Sequence, residues 1–449
     1  MEESSNTTRE SAVVASLLRR LGTLDLALIT IGAVIGSGIF RTPSVVAQRA
    51  HIPALILACW ALGGVVAVIG AFVFAELAAR RPLSGGLYAY LRDAYNPGVA
   101  FVFGWTLLFI GDTGGTAAAA VLFAGYFEPL TGLHVAPTIV AVVTLALVTA
   151  INVLGVRQGG TWQNVLVVLK IGAIGGLIAA GIFAHPSAAS AAPVAFHSGG
   201  TLLGALGVAM LPVLFSYNGF QGASFITGET RDPERTIPRG LVIGVGTIVV
   251  IYLLANIGYL HALGAAGLAR THTPASDVMQ AAIGPVGARV IAVAITLSTL
   301  GFMSTRLLVA PRIYHQMAQD GLFFKAVGWI NPRTHVPTVA IVLEGLVAAI
   351  IAASGTFEQI VNWVVAPEWA FVVMAAGAVF VFRRRDADKL PPATRVPGHP
   401  WTTGLFIITL LAIFAAELLT YPRDTLYGAL VMGAGVVFFF VWRRTRAVR

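Results

Sequence analysis

The sequence predicts an all-α membrane protein of twelve transmembrane helices, ten of them in two five-helix repeats and two appended after them. Composition is the first observation behind this. Only 11% of the 449 residues are charged and 57% are apolar, whereas a soluble domain carries about 25% charge. So little charge does not cover a wet surface, which excludes a soluble enzyme, a nucleic-acid-binding module and a disordered chain. The second observation is the recurrence of apolar windows near the ~20 residues that a bilayer-crossing helix needs. The third is that the first and sixth of those windows are interrupted in mid-span by glycine and polar residues, at matching positions of two halves.

Taken in order, residues 1–23 form a polar leader with no small-residue cleavage site behind it, so the first apolar stretch is read as a retained span and the leader as cytoplasmic. Spans over 24–41, 54–79, 98–127, 135–154 and 163–183 make a first repeat, 24–183, and an external Ala/Ser/Pro-rich linker follows over 184–201. Spans over 202–227, 239–262, 286–315, 337–354 and 357–382 make the second repeat, 202–382. A basic cytoplasmic loop, 383–402, leads to spans over 403–421 and 424–442, and a basic tail closes the chain at 443–449.

Charge gives the orientation. Twenty-three of the 29 Lys and Arg residues, Arg306 and Arg312 counted among them, fall on the side of the N terminus. Only Arg41, Arg49, Arg270, Arg289 and Arg423 fall on the other, and Lys170 lies inside a span. The positive-inside rule then puts both termini in the cytoplasm and the chain in the inner membrane. The formal net charge of +9 reflects these loops rather than nucleic-acid binding. A single cysteine, Cys59, excludes an intramolecular disulfide and a thiolate metal cage. No GxxxxGK[ST] loop and no HExxH pair occurs, so no nucleotide, metal or other cofactor is expected.

The two interrupted spans read Gly32-Ala33-Val34-Ile35-Gly36-Ser37-Gly38-Ile39 and Phe215-Ser216-Tyr217-Asn218-Gly219-Phe220-Gln221-Gly222. Non-helical backbone at membrane depth survives only where it is buried in protein or lines a cavity, and paired interruptions point to an inverted-repeat transporter. Here the sequence resembles the amino acid–polyamine–organocation (APC) superfamily, near its bacterial L-type and cationic amino acid transporter branches. The resemblance rests on Gly36-Ser37-Gly38-Ile39-Phe40 with Pro43, on Ser84-Gly85-Gly86 with Tyr88, and on Phe225-Ile226-Thr227-Gly228-Glu229 followed by Asp232 to Pro238. Thr305-Arg306 with Asp320-Gly321, and Arg395-Val396-Pro397-Gly398-His399-Pro400, complete it. It implies a LeuT-type five-plus-five inverted repeat and secondary transport of amino acids or related amines.

An α-amino acid brings a carboxylate and an ammonium, both of which must leave water. A broken helix supplies substitutes, since half-helix N-termini present free N–H groups and C-termini free carbonyls. The carboxylate is expected at the N–H groups around Gly36, Ser37, Gly38 and Ile39, and the ammonium at carbonyls of Val34, Ile35, Phe215, Tyr217 and Asn218 beside Gly219. Phe215, Tyr217, Asn218, Phe220 and Gln221 are candidate pocket walls. Phe220 stands where related transporters often carry an aromatic gate, and its alternative is ordinary packing. Asn218 and Gln221 either contact substrate or hydrogen-bond between helices.

Lys170 is a cation among aliphatics, costing about 2.5–3.5 kcal/mol at a helix centre on insertion scales. In resembling proton-coupled members a span-five lysine stands where sodium-coupled relatives bind sodium, which implies contact with carbonyls near Gly32 and Ala33 and favours proton coupling or exchange. Asp112 has three open readings: partner of a substrate's distal amine, proton relay, or cap of a local kink. Glu344 and Glu417 also read as intramembrane, Glu368 as the start of a re-entrant or tilted segment, Glu76 as the partner of a loop arginine, and Glu229 as a latch on Arg231 or Arg235. The leading expectation is alternating-access transport of neutral L-amino acids by proton coupling or exchange. A cationic amino acid or polyamine permease is the alternative within transport, and a channel or transporter-like nutrient sensor the alternative outside it.

Overall fold

The computed structural model describes residues 21–36, 38–82, 85–155, 159–184, 202–225, 227, 230–420 and 422–447. Ser37, Ser84, Ile226, Gly228, Glu229, residues 1–20 of the leader and 185–201 of the linker lie outside them. The described chain is helical, joined at one point by an isolated parallel bridge between Leu21 and Thr230. All twelve apolar segments of the sequence contain helix. Among the described residues, six helical stretches are long and apolar enough to cross a membrane, and a seventh is a pair, Thr23–Val34 and Gly38–Ala50, bent by 46°. Four further apolar helical stretches among the described residues are shorter, at Pro137–Val153, Val167–Phe183, Thr338–Ser354 and Trp401–Ala416.

The first span becomes α1 (Thr23–Val34) and α2 (Gly38–Ala50), because Ile35 turns extended and α1 stops there. The second is α3 (Pro53–Arg80), with Pro53 at the first helical turn, where a missing N–H costs nothing. A short helix, α4 (Leu87–Ala94), follows Gly85 and Gly86, both at positive φ. A Cβ on Gly86 would sit 2.5 Å from Ser224 Oγ, so this turn presses directly on the sixth span. The third span is α5 (Pro97–Thr106), capped by the Asn96 side chain on Val99 N–H, then a π turn over Leu107–Gly111, then α6 (Asp112–Thr131). A single π turn inside a helix is a frequent companion of functional sites, and this one delivers Asp112.

Next come α7 (Pro137–Val153), α8 (Gly159–Phe183) and α9 (Leu202–Tyr217). The sixth span was expected to run on to 227, but α9 ends at Tyr217. Gly219 adopts φ +105°, and the chain resumes as a 3-10 turn over Phe220–Ser224. The remaining elements are α10 (Pro233–Arg270), α11 (Pro274–Val309), α12 (Pro311–Gln319), a 3-10 turn at Lys325–Gly328, α13 (Thr338–Ser354), α14 (Phe357–Arg385), α15 (Trp401–Thr420) and α16 (Pro422–Ala447). The broken α1–α2 pair sits at the centre, with α10 against α1, α2 and α3, α9 against α2 and α3, and α8 against α1, α10 and α11. Apolar side chains left exposed, such as Leu147, Val250 and Leu346, lie on the outer helices, as a lipid-facing surface requires.

Glu368 is not the start of a re-entrant segment. It lies in the middle of α14, one residue after Pro367, and is buried. Glu76 finds more than the single loop arginine expected. Its carboxylate takes Arg80 Nε at 2.9 Å, Arg383 Nε and Nη2 at 2.8 and 2.7 Å, and the Val396 N–H at 2.8 Å. Nearby, Arg81 donates to Asp386 at 3.0 Å and holds that carboxyl below its ordinary range. Asp320 accepts from Tyr88 at 2.8 Å and Arg92 at 2.6 Å. The family-like motifs at 88, 320 and 396 are therefore the parts that tie the loops to the helix ends.

Glu76 is fully buried and serves four donors, so removing its charge leaves Arg383 and the Val396 N–H short of an acceptor. Glu76→Gln is expected to lower stability on the order of 3 kcal/mol. Thermal unfolding of the detergent-purified protein checks this, and an unchanged melting temperature refutes it.

Candidate functional site

The site is built where the two broken helices meet. At the end of α1, four carbonyls lose their intrahelical partners, and the protein supplies donors for several of them. Lys170, on α8 and 2% exposed, donates to the carbonyls of Gly32 at 3.3 Å and of Ile35. Tyr252, on α10, reaches both breaks, with its hydroxyl 3.3 Å from the Val34 carbonyl and 3.1 Å from that of Ser216. The Phe215 carbonyl takes the Asn218 N–H at 3.2 Å. A Cβ on Gly38 would lie 2.7 Å from Ser216 Oγ, so glycine lets α2 press onto α9.

Beside the breaks lies a buried ionic group. Arg306 of α11 donates to Asp112 Oδ1, with the two side chains 11% and 2% exposed. Its guanidinium carbon stands 5.1 Å from the centre of the Phe302 ring. Glu368 accepts from Asn218 Nδ2 and, at 3.3 Å, from Gln221 Nε2. Asn218 Oδ1 in turn accepts from Gln221 Nε2 at 2.9 Å and from the Gly219 N–H at 2.8 Å. The Asn218–Gln221–Glu368 chain thus fixes the sixth-span break against α14. Arg306 was expected in a cytoplasmic loop, and the structure corrects this. It is a core residue, tolerable there because carboxylates surround it.

Two adjoining narrow cavities open here, and Arg306 and Glu368 line both. The first is floored by the backbone of Val34, Gly36 and Gly38, with Phe215, Asn218 and Phe302 on its sides. The second runs past Ala33, Asp112, Gly219 and Gln221. A Cβ on Gly36 would meet the Phe302 ring at 2.6 Å, which makes Phe302 the aromatic cover of the first-span break.

Several expected residues point elsewhere. Phe220 is fully buried edge-on against Phe74 at 5.8 Å, because the 3-10 turn swings it toward α3. The Tyr217 hydroxyl donates to the Trp60 carbonyl at 3.1 Å and its ring packs on Trp60 and Tyr252. Neither lines the cavities. Ile39 is buried and its carbonyl accepts from Tyr259 at 3.2 Å. Lys170 reaches Gly32 and Ile35, not Ala33, whose carbonyl faces Gly219 instead. The Ile35 carbonyl, expected to meet a substrate ammonium, is the one that Lys170 takes. Asp112 follows the π turn that ends at Gly111 and holds Arg306 through Oδ1, while it also lines the second cavity.

Arg306, Phe302 and Tyr252 escaped sequence reasoning. Arg306 lay well inside the apolar window at 286–315, and that position was the signal that set it apart from a loop charge. Beyond the breaks, Arg41 joins Glu358, the Ser44 hydroxyl at 3.0 Å and His272 Nδ1 at 2.9 Å.

Two broken helices meeting over polar cavities inside an apolar bundle define a multi-pass membrane transport protein. The chain belongs to the amino acid permease family, within the APC superfamily, whose sequence profile matches residues 21–441. It is similar to the b(0,+)-type amino acid transporter 1 of Mus musculus, 28% identical over 98% of this chain and 91% of that protein. It is 26% identical to the serine/threonine exchanger SteT of Bacillus subtilis, over 96% of this chain and 98% of that one. It is also 26% identical to the human cystine/glutamate transporter, over 95% of this chain and 86% of the relative. All are named transporters or exchangers, and the chain is a transporter rather than an enzyme.

Gly219 is the tightest point of the site. A Cβ there would stand 2.6 Å from the Ala33 carbonyl oxygen and 2.9 Å from Arg306 Nη2, at a φ that L side chains avoid. Gly219→Ala is expected to cost about 1–3 kcal/mol and to abolish amino acid binding, while Gly246→Ala, with nothing within 4 Å, leaves both intact. Scintillation proximity binding beside thermal unfolding tests this, and full binding by Gly219→Ala refutes it.

Proposed function

We propose that the protein is a secondary active transporter that moves neutral L-amino acids across the cytoplasmic membrane by alternating access, in exchange or coupled to protons. The observation that carries this reading is the pair of helix breaks sharing one cavity, with backbone N–H groups of α2 on one side and Arg306 on the other. The substrate carboxylate sits at the N-terminal turn of α2, around Gly36 and Gly38, with Ser37 (outside the described residues) between them. Its ammonium uses the second lone pairs of carbonyls at Val34 and Phe215. Phe215, Phe302 and Val364 supply an apolar wall for the side chain. A twelve-helix, LeuT-type arrangement of two inverted repeats, with both termini in the cytoplasm of a cell with an inner membrane, fits the helix order and the basic loops. Similarity to a serine/threonine exchanger supports exchange.

Lys170 gives the coupling. Charged, its ammonium holds the end of α1 through Gly32 and Ile35. Neutral, it releases them, so proton occupancy biases one conformation over the other. A second reading, a cationic amino acid or polyamine permease, is favoured by one observation: Asp112 and Glu368 both line the cavity against a single guanidinium.

A competition panel in proteoliposomes with radiolabelled alanine or leucine separates the two. Neutral amino acids are expected to compete, and competition by arginine, lysine or polyamines alone overturns the first reading. In the same vesicles Lys170→Ala is expected to keep substrate binding but lose accumulation driven by a pH gradient, or the asymmetry of exchange. Sodium-driven uptake by the wild type, or a variant equal to it in every gradient, refutes the coupling role.

A further inference from the structure

Glu344, on α13, is the one carboxylate around Arg306 that the transport reading leaves without a task. It is fully buried, and neither of its oxygens has a hydrogen-bond partner. Yet its carboxyl group lies within hydrogen-bond reach of Asp112, whose Oδ2 is likewise unpartnered while Oδ1 holds Arg306. Two ionised carboxylates have no proton between them to donate, so at contact distance they offer four acceptors and no donor. One proton resolves the conflict: Glu344 donates to Asp112 Oδ2, Asp112 keeps its charge for Arg306, and two orphaned acceptors disappear.

Charge counting leads to the same place. The groups that face Glu344 are Asp112 from α6, Arg306 from α11, and Arg312 with the unpartnered Tyr314 hydroxyl from α12. His315 lies beside Tyr314 on α12, and Lys325, on the 3-10 turn against α13, is exposed. Neither α7 nor the π turn at Leu107–Gly111 carries an ionisable residue. Arg312 also donates to the Leu308 carbonyl, and Glu368 acts on Arg306 from α14. Arg306 therefore serves three carboxylates, and like charges at contact in a dry interior do not both persist.

We propose that Asp112 and Glu344 form a proton-binding site, separate from Lys170, whose proton decides how Arg306 is shared between the acid pair and the cavity. With the proton bound, Arg306, Asp112 and Glu344 together are neutral, and the guanidinium edge beside Gly219 is available to an anionic group in the cavity. On release the proton passes from Glu344 to water, the pair gains one negative charge, and Arg306 is drawn back onto it. This inference rests on the transport reading only for its consequence, not for the existence of the site.

Infrared difference spectroscopy of the purified full-length protein, in water and in deuterium oxide, tests the site directly. The wild type is expected to show the carbonyl stretch of a buried protonated carboxylic acid at neutral pH, shifted by deuteration and lost on alkaline titration. Glu344→Gln, whose amide can still donate to Asp112 and so preserves the fold, is expected to lose the band. Asp112→Asn is expected to lose it too, and Glu368→Gln to keep it. A wild-type spectrum with no such band overturns the proposal whatever the variants do, and so does a band that survives in both Glu344→Gln and Asp112→Asn. Failure of amino acid uptake with the band present removes the transport reading alone. Uptake with no band removes the proton site alone.

Discussion

The freed carbonyls at the end of α1 set the terms for the rest of the structure. In an apolar bundle every backbone group must be satisfied by the protein itself, and a helix stopped at Val34 leaves several acceptors at membrane depth. Lys170 on α8 and Tyr252 on α10 answer that need. Because Tyr252 also takes the Ser216 carbonyl, one hydroxyl ties the two breaks together. The packing of α10 against α1 and α3, and of α8 against α1, follows from having to bring those two donors to that point. A cation at Lys170, costly in isolation, is stabilised by carbonyls that would otherwise lack partners.

The same constraint explains where side chains are forbidden. Gly38, Gly86 and Gly219 each mark a backbone approach that a methyl group would obstruct. Gly219 is the most demanding because it combines a close approach with positive φ. The cavity is lined by the first-span break and by Phe215 and Asn218 on one side, and by side chains of α11 and α14 on the other. On the second stand Phe302, Arg306 and Glu368.

Much of this was legible in the sequence, for physical reasons. Membrane helices announce themselves by length and hydropathy, so α3, α7, α13 and α14 begin and end within a few residues of the apolar windows. The breaks were legible because glycine and amide residues have no bilayer-facing reason to cluster in mid-span. Lys170 was legible because a lone cation among aliphatics demands a partner, but the register of its contact, Ile35 in place of Ala33, depends on how far α1 unwinds. Side-chain direction after a break was not legible. Phe220 and Tyr217 look like pocket residues in a helical register, and the 3-10 turn rotates them onto Phe74 and Trp60. Long-range ion pairs were equally hidden. Nothing local joins Asp112 to Arg306, separated by 194 residues, so the position of Arg306 inside an apolar window signals burial without naming its partner.

Arg306 shows why such pairs matter to a transporter in particular. A buried guanidinium does not lose its proton, so any adjustment of charge in this cluster falls on the carboxylates around it. Asp112 is fixed by direct pairing, and Glu368 by the amides of Asn218 and Gln221. Only Glu344 has neither kind of partner. The carboxylate without such a partner is also the one that lines neither cavity, whereas Asp112 and Glu368 both do. Lys170 meets the same break from α8, acting on backbone rather than on a side chain. The broken first span is thus held by one buried cation on its carbonyls and faced across the cavity by a second.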